Sequence, residues 1–287
     1  MTFLRVMTFN VQGYEDEADQ TNWWVHRSEL NVKTIQRYRP DVIGIQEITQ
    51  RHMLVYDTAL ADYEHTALPA QAEYEASPIF WKRDKFELLD TGVIWLSPTP
   101  DVPFSKGWGI DEYALSAVWV KLKSIEDGTI FIHLNTQFED GPWGAQFRLE
   151  SSKLLVRRLA QLQDGGLPAI ATGDFNCEPW DAPYTTFMAN GFADTWRTAG
   201  HGDSVETSTF HGFQGKDYFG LEWGSSVFWR VDWILARAGN TPNAVRVETA
   251  SCTIVRDAEP PLYPSDHYPV VAELELFSPD GWVVEDE

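Results

Sequence analysis

Six stretches of the 287-residue chain run from apolar, strand-like residues into a side chain that can hold a metal, move a proton or grip an anion: Asn10, Glu47, Gln137, Asp174 with Asn176, Asp232, and Asp266 with His267. The densest is Ala171-Thr172-Gly173-Asp174-Phe175-Asn176, which follows the apolar run from Leu167 to Ile170. On an extended backbone a carboxylate and a carboxamide two residues apart project from the same face. Asp174 could then take a proton from water or hold a metal, while Asn176 could only donate or accept hydrogen bonds. Each stretch alone reads better as a turn or a hydrogen-bonded structural residue than as a catalyst. Six together point to one cleft, because ligands of open α/β sheets bind outside the carboxyl ends of the strands.

Periodicity identifies the elements that must carry these residues. Phe3 to Asn10 alternates as a strand, and Asn22 to Arg39 places Trp24, Leu30, Ile35 and Tyr38 at helical spacing before Pro40. Asp41 to Glu47 reads as a buried strand, so the three form a βαβ unit with Asn10 and Glu47 on a polar rim. A helix over Gln50 to Leu60 follows. Tyr63 to Leu68, Ser77 to Trp81, Phe86 to Leu96, Tyr113 to Lys123 and Thr129 to Thr136 are strand candidates between Pro, Gly and Asp turns, which predicts antiparallel pairing. Pro98 to Gly109, with Trp108, reads as a surface loop. His133, Asn135 and Gln137 share one strand face. Gly144 to Leu162 is a helix with Phe147, Leu154, Leu155, Val156 and Leu159 on its apolar side, and a shorter helix lies near Pro183 to Asn190. Phe228 to Ala236, Asn243 to Val255 and His267 to Leu276 complete the strands. No internal repeat is visible. One domain over residues 1–277 and a loosely held acidic tail over 278–287 are expected.

Composition sets the boundaries. At 43% hydrophobic residues the chain has ample material for a core. A formal net charge of −21 makes the surface repel a long polyanion, which weighs against non-specific duplex DNA as substrate. Cys177 and Cys252 are the only cysteines, so no disulfide framework is implied, and Cys177 reads as a small buried filler. Most of the thirteen tryptophans are expected in packing. The first residues alternate as a strand and not as a signal peptide, and no apolar run is long enough to span a membrane. A soluble, cytoplasmic protein is the expectation.

Met7-Thr8-Phe9-Asn10, Ile45-Gln46-Glu47, Gly173-Asp174-Phe175-Asn176 with Pro179, Arg230-Val231-Asp232 and Ser265-Asp266-His267-Tyr268-Pro269, in that order, resemble the motif set of the endonuclease/exonuclease/phosphatase superfamily of metal-dependent phosphoesterases. Thr209-Phe210-His211-Gly212-Phe213 is similar to one branch of it. The resemblance implies a four-layer α/β sandwich, two mixed β-sheets packed face to face with helices outside, and Mg²⁺ or Mn²⁺ in the cleft. Carried over residue by residue, it implies Glu47 as the main metal ligand, Asn10 holding the metal region or the phosphate, and Asp266 supporting the metal. It implies Asp174 as the group that orients and deprotonates the attacking water, and Asn176 as a partner of a phosphate oxygen. His267 would contact the phosphate, held in orientation by Asp232. General chemistry agrees, since an Asp beside a His fixes its tautomer and favours the imidazolium.

The chain departs from the family at one place. Where relatives commonly show Asn-Thr-His-Leu-Asp-His, it has Asn135-Thr136-Gln137-Phe138-Glu139-Asp140. A carboxamide can bind a phosphate oxygen but cannot be a general acid near neutral pH, a loss on the order of 10²–10⁴-fold for a poor leaving group. The expected function is divalent-metal-dependent hydrolysis of a phosphomonoester or phosphodiester, in a phosphorylated small molecule or a short single-stranded nucleic acid. An endo- or exonuclease on DNA or RNA is the alternative within that class. A non-catalytic binder of phosphorylated ligands is the alternative outside it, suggested by Gln137. Trp143, Trp223 and Trp229 fit stacking on a base or sugar, and fit loop packing equally well.

Overall fold

Alternation along the first strand sets the layering. In β1 (Thr2–Asn10) Leu4 and Val6 enter a core shared between two sheets, while Met7 and Phe9 enter a second core beneath helices. The computed structural model describes residues 1–68, 76–164, 166–218, 230–241 and 244–277. The strands after β1 are β2 (Val42–Gln46), β3 (Tyr63–His65), β4 (Ile79–Lys82), β5 (Phe86–Trp95), β6 (Ser116–Ser124), β7 (Ile130–Gln137), β8 (Ala169–Asp174), β9 (Ala193–Asp194), β10 (Asp232–Arg237), β11 (Arg246–Ile254) and β12 (Val270–Phe277). The helices are α1 (Trp24–Tyr38), α2 (Gln50–Ala59), α3 (Ala145–Leu162), α4 (Ala182–Ala189) and the single turn α5 (Thr195–Thr198).

Among the described residues these strands form two mixed sheets of six, in the orders β11-β12-β1-β2-β4-β3 and β5-β6-β7-β8-β10-β9. Each sheet has one parallel pair, β1 with β2 and β7 with β8, joined by α1 and α3 respectively; all other pairings are antiparallel. A parallel pair needs a helical crossover, which is why each βαβ unit carries its own outer helix. Trp24, Ile35, Met53 and Tyr56 pack α1 and α2 on the first sheet, and Phe147, Leu155, Leu159 and Phe187 pack α3 and α4 on the second. The result is the four-layer α/β sandwich.

The interlayer core changes character along the strands. Val42, Val118, Val120, Phe131, Ile170 and Ile234 fill one part. Toward the carboxyl ends of the parallel pairs the same faces turn polar. Asn135 donates to the carbonyls of Ile45 (2.8 Å), Ser77 (3.0 Å) and Pro78 (3.0 Å), and its Oδ1 accepts from Gln46 (2.6 Å) and Thr172 (3.0 Å). This buried carboxamide fastens one sheet to the other. Gly44 makes the approach possible, because a Cβ there would stand 2.1 Å from Thr172 Oγ1.

Several strands are shorter than expected. β12 begins at Val270 and not at His267, because Pro269 has no N–H for a ladder and His267 makes only an isolated bridge to Phe210. β3 stops at His65, β4 starts at Ile79, and β6 starts at Ser116. β10 starts at Asp232, and the expected beginning of that strand at Phe228 lies outside the described residues, as do Trp223, Trp229, Asn243 and the tail over 278–287. Cys177 and Cys252 are both free and buried. No helix among the described residues is long and apolar enough to cross a membrane.

Candidate active site

The two parallel pairs deliver their last residues to one place. Asn10 ends β1, Gln137 ends β7 and Asp174 ends β8; register sets Gln137 beside Asp174, and Asp174 beside Asp232 on β10. Glu47 follows β2 directly. Strand alternation would send it to the opposite face from Gln46, but its backbone takes φ 61°, a left-handed conformation uncommon for a side chain of this size. That turn brings its carboxylate to Asn10 and Gln137.

Asn10 is fully buried and its Nδ2 donates to Glu47 Oε1 (2.7 Å) and Asp174 Oδ2 (2.9 Å). One carboxamide therefore spans two carboxylates. Glu47 Oε1 also accepts from Gln137 Nε2 (2.7 Å), and its Oε2 from the Gly13 N–H (2.8 Å). Across the cleft, His267 Nδ1 lies 2.9 Å from Asp232 Oδ2, and its Nε2 lies 3.9 Å from Asp174 Oδ2. Asp232 is held by Thr209, whose hydroxyl oxygen accepts the N–H groups of Val231 and Asp232 at 3.0 and 3.2 Å. The carbonyl of Asp266 accepts the N–H groups of His211 (2.8 Å) and Gly212 (3.1 Å).

Electrostatics follow from this packing. Burial opposes the imidazolium of His267, but Asp232, by charge and hydrogen bond, with Asp174 and Asp266 behind it, raises its pKa well above the ordinary value. Burial pushes the Asp174 carboxyl well above the usual carboxylate range; the His267 charge opposes this, and Asp232 and Glu47 add to it. Burial also raises Asp266, opposed by His267 and reinforced by Glu47. Among the described residues, Asp232 Oδ1 is buried with no hydrogen-bond partner. Four carboxylates with one imidazole, an orphaned oxygen and two carboxyls reluctant to ionise mark a site short of positive charge. Hard oxygen donors of this kind fit a divalent cation such as Mg²⁺ or Mn²⁺.

Among the described residues, Asp174, Asp232 and His267 bring ligand atoms that all lie within 4.8 Å of one another. Glu47, Asn10 and Gln137 adjoin it through the Asn10 amide. Asn176 sits differently from the expectation of a shared strand face. β8 ends at Asp174, Asn176 takes φ 47°, and its Nδ2 donates to the Phe138 carbonyl (2.9 Å), tying the loop after β7 to the loop after β8. Trp143 is 91% exposed, so loop packing does not account for it. Periodicity passed over Arg27, which is fully buried beneath the site loops; its position three residues after Trp24, on the apolar stripe of α1, was the available signal.

Residues 7–267 match the family described as Endonuclease/Exonuclease/phosphatase family. Nocturnin of Drosophila melanogaster is 27% identical over 179 residues, 58% of this chain and 26% of that protein, so the chain spans about a quarter of the length of this relative. The crystal structure of an endonuclease/exonuclease/phosphatase from Bacteroides vulgatus is similar with a TM-score of 0.81 at 28% identity, covering 96% of this chain and 100% of that one. A mannosyl-6-phosphatase of Bacteroides thetaiotaomicron gives a TM-score of 0.82 at 26% identity, covering 95% and 99%.

Proposed function

Because the chain belongs to the endonuclease/exonuclease/phosphatase family, whose members hydrolyse phosphate esters, we propose that it is a divalent-metal-dependent phosphoesterase that directs an activated water at the phosphorus of a small phosphorylated substrate or a short single-stranded nucleic acid. The observation that carries the reading is His267, bonded through Nδ1 to Asp232 at 2.9 Å and standing 3.9 Å through Nε2 from Asp174. A proton acceptor and an oriented cation thus flank one space. A pure binder of phosphorylated ligands has no need of that pairing.

Glu47, Asp266 and Asn10 would hold the metal, which when bound neutralises charge on the phosphoryl group and acidifies water. Asp174 takes the proton of the attacking water, its carboxylate facing the same space as His267 Nε2 at 3.9 Å. His267 presents its Nε2–H to a phosphate oxygen, and Asp232 keeps the proton on Nδ1 and the ring in place. Asn10 fixes the spacing of Glu47 and Asp174 by bonding both. Asn176 gives one side-chain N–H to the Phe138 carbonyl and so sets the loop; its second N–H would donate to a phosphate oxygen. Gln137 is a hydrogen-bonding group for Glu47 or for phosphate and supplies no proton to the leaving oxygen.

Kinship with a mannosyl-6-phosphatase over 95% of this chain supports a phosphorylated sugar within the small-molecule class. The net charge of −21 weighs against duplex DNA. The test is turnover by the purified protein with Mg²⁺ or Mn²⁺ on mannose 6-phosphate, mononucleotides, short single-stranded DNA and RNA, and p-nitrophenyl mono- and diesters. Release of phosphate or alcohol above an Asp174→Ala control is expected; no turnover above that control with either metal overturns the reading.

A further inference from the structure

Two loops meet at one edge of the first sheet, where β1 ends beside the start of its neighbour β12, and they come from distant parts of the chain. One, residues 11–13, follows Asn10 and gives its Gly13 N–H to Glu47 Oε2. The other, residues 264–267, carries Asp266 and His267. Arg27 lies between them on α1, fully buried. Its Nε donates to Asn22 O (2.8 Å), Nη1 to Val11 O (2.7 Å) and Pro264 O (3.0 Å), and Nη2 to Gln12 O (2.7 Å) and Gln12 Oε1 (2.9 Å). A third loop closes over it: Phe213, next to the Gly212 that binds the Asp266 carbonyl, puts its ring 5.7 Å from Arg27 Cζ.

Every acceptor of these bonds is neutral. A guanidinium buried without a bonded carboxylate gives up hydration that the nearby charges of Asp266, Glu15 and Glu47 offset only in part, so stabilisation alone gives no strong reason for an arginine at this position. What Arg supplies that an apolar residue or lysine cannot is a flat fork with five donors at fixed angles, able to reach two separate loops at once. Asn31, one helical turn on, donates to the same Pro264 carbonyl (3.1 Å) and is itself held by Tyr56 OH (2.6 Å). The buried face of α1 is therefore a polar template for the two loops.

Resting on the phosphoesterase reading above, we propose that Arg27 is a positioning residue: its guanidinium sets the separation of the 11–13 loop from the 264–267 loop, and through it the spacing between Glu47, after β2, and Asp266 with His267, before β12. A shift of a few tenths of an ångström in Gly13 passes directly to Glu47, and a shift in Pro264 passes to Asp266 two residues later. Groups that orient metal ligands typically govern metal affinity by 10–100-fold.

The test compares Arg27→Lys with Ile35→Ala, a core truncation about two turns further along the same helix that removes no hydrogen bond to either loop. Mn²⁺ binding is measured by calorimetry well below the melting temperature, amide exchange is followed over residues 11–13 and 264–267, and kcat is taken on any substrate turned over. Arg27→Lys should bind Mn²⁺ about 10–100-fold more weakly, exchange faster in both loops and lose kcat. Ile35→Ala should lose thermal stability but keep Mn²⁺ affinity and both loops' protection. Wild-type affinity and protection in folded Arg27→Lys overturn the proposal. Should that variant not fold, Gln12→Ala, which removes one acceptor of the fork, carries the test: weaker Mn²⁺ binding supports it and unchanged binding overturns it. A wild-type protein with no turnover would sink the phosphoesterase reading, while loop exchange would still decide the role of Arg27.

Discussion

Gln137 Nε2 stands 2.7 Å from Glu47 Oε1, on the same oxygen that accepts the Asn10 amide. The residue that departs from the family pattern is thus turned onto a carboxylate and helps to fix it. Replacing it with histidine should separate two roles. Gln137→His is expected to preserve or raise kcat on alkyl phosphates, by up to about 10²-fold where a proton donor to the leaving oxygen is missing, and to leave p-nitrophenyl esters unchanged. Comparing kcat on the two ester types checks this. A large loss on both, with the fold intact, would show that holding Glu47 is what Gln137 is for.

Asp232 is predicted to act through His267. Asp232→Asn keeps the shape but removes the charge that orients the imidazole, and kcat should fall on the order of 10²-fold. His267→Gln should cost at least as much, and the double variant no more than His267→Gln alone, because both remove one interaction. Multiplicative losses in the double variant would make the two residues independent.

The seam between the sheets should be sensitive out of proportion to its size. Asn135→Ala strands several buried partners, at roughly 1–3 kcal/mol for each group left unbonded. Gly44→Ala drives a Cβ into Thr172 and Asn135, and overpacking of this kind costs typically about 1–3 kcal/mol. Denaturant unfolding measures both. A Gly44→Ala protein as stable as wild type would mean that the sheets can part without penalty.

Stability should also fall in mild acid through His133. Burial pushes its pKa down to about 3, and its Nδ1 has no partner among the described residues. The unfolded chain, at a pKa near 6.5, takes up the proton first, so the contribution is complete above that pH and is lost as pH drops toward 3. At pH 5 the loss is about 2 kcal/mol. His133→Gln removes this dependence, and the gap between the two proteins' unfolding free energies should change by that amount between pH 7 and 5. A constant gap would refute the assignment.

The βαβ units and the polar strand ends were legible because alternation carries Asn10, Gln137 and Asp174 to one face, and the family motifs supplied Asp232 and His267. Alternation fails where the backbone leaves the strand. Asn176 at φ 47° turns to Phe138, and Glu47 at φ 61° reaches the cleft only by breaking phase. Arg27 stayed hidden because a charged residue on a helix reads as solvated, and only the tertiary fold shows which carbonyls await it. The matching topology of the two sheets is equally invisible in the chain, since it rests on strand pairing and not on similar residues.

β1 lies between β2 and β12, with Thr2 opposite Leu276 and Thr8 opposite Val270. Of the described strands, the first to leave the ribosome thus gains its second neighbour only when the last emerges. Pairing across such a separation is slow, and until it happens one edge of β1 is open to wrong partners. The strong negative charge then acts before the native state exists, keeping half-made chains apart by mutual repulsion while the sheet waits to be closed.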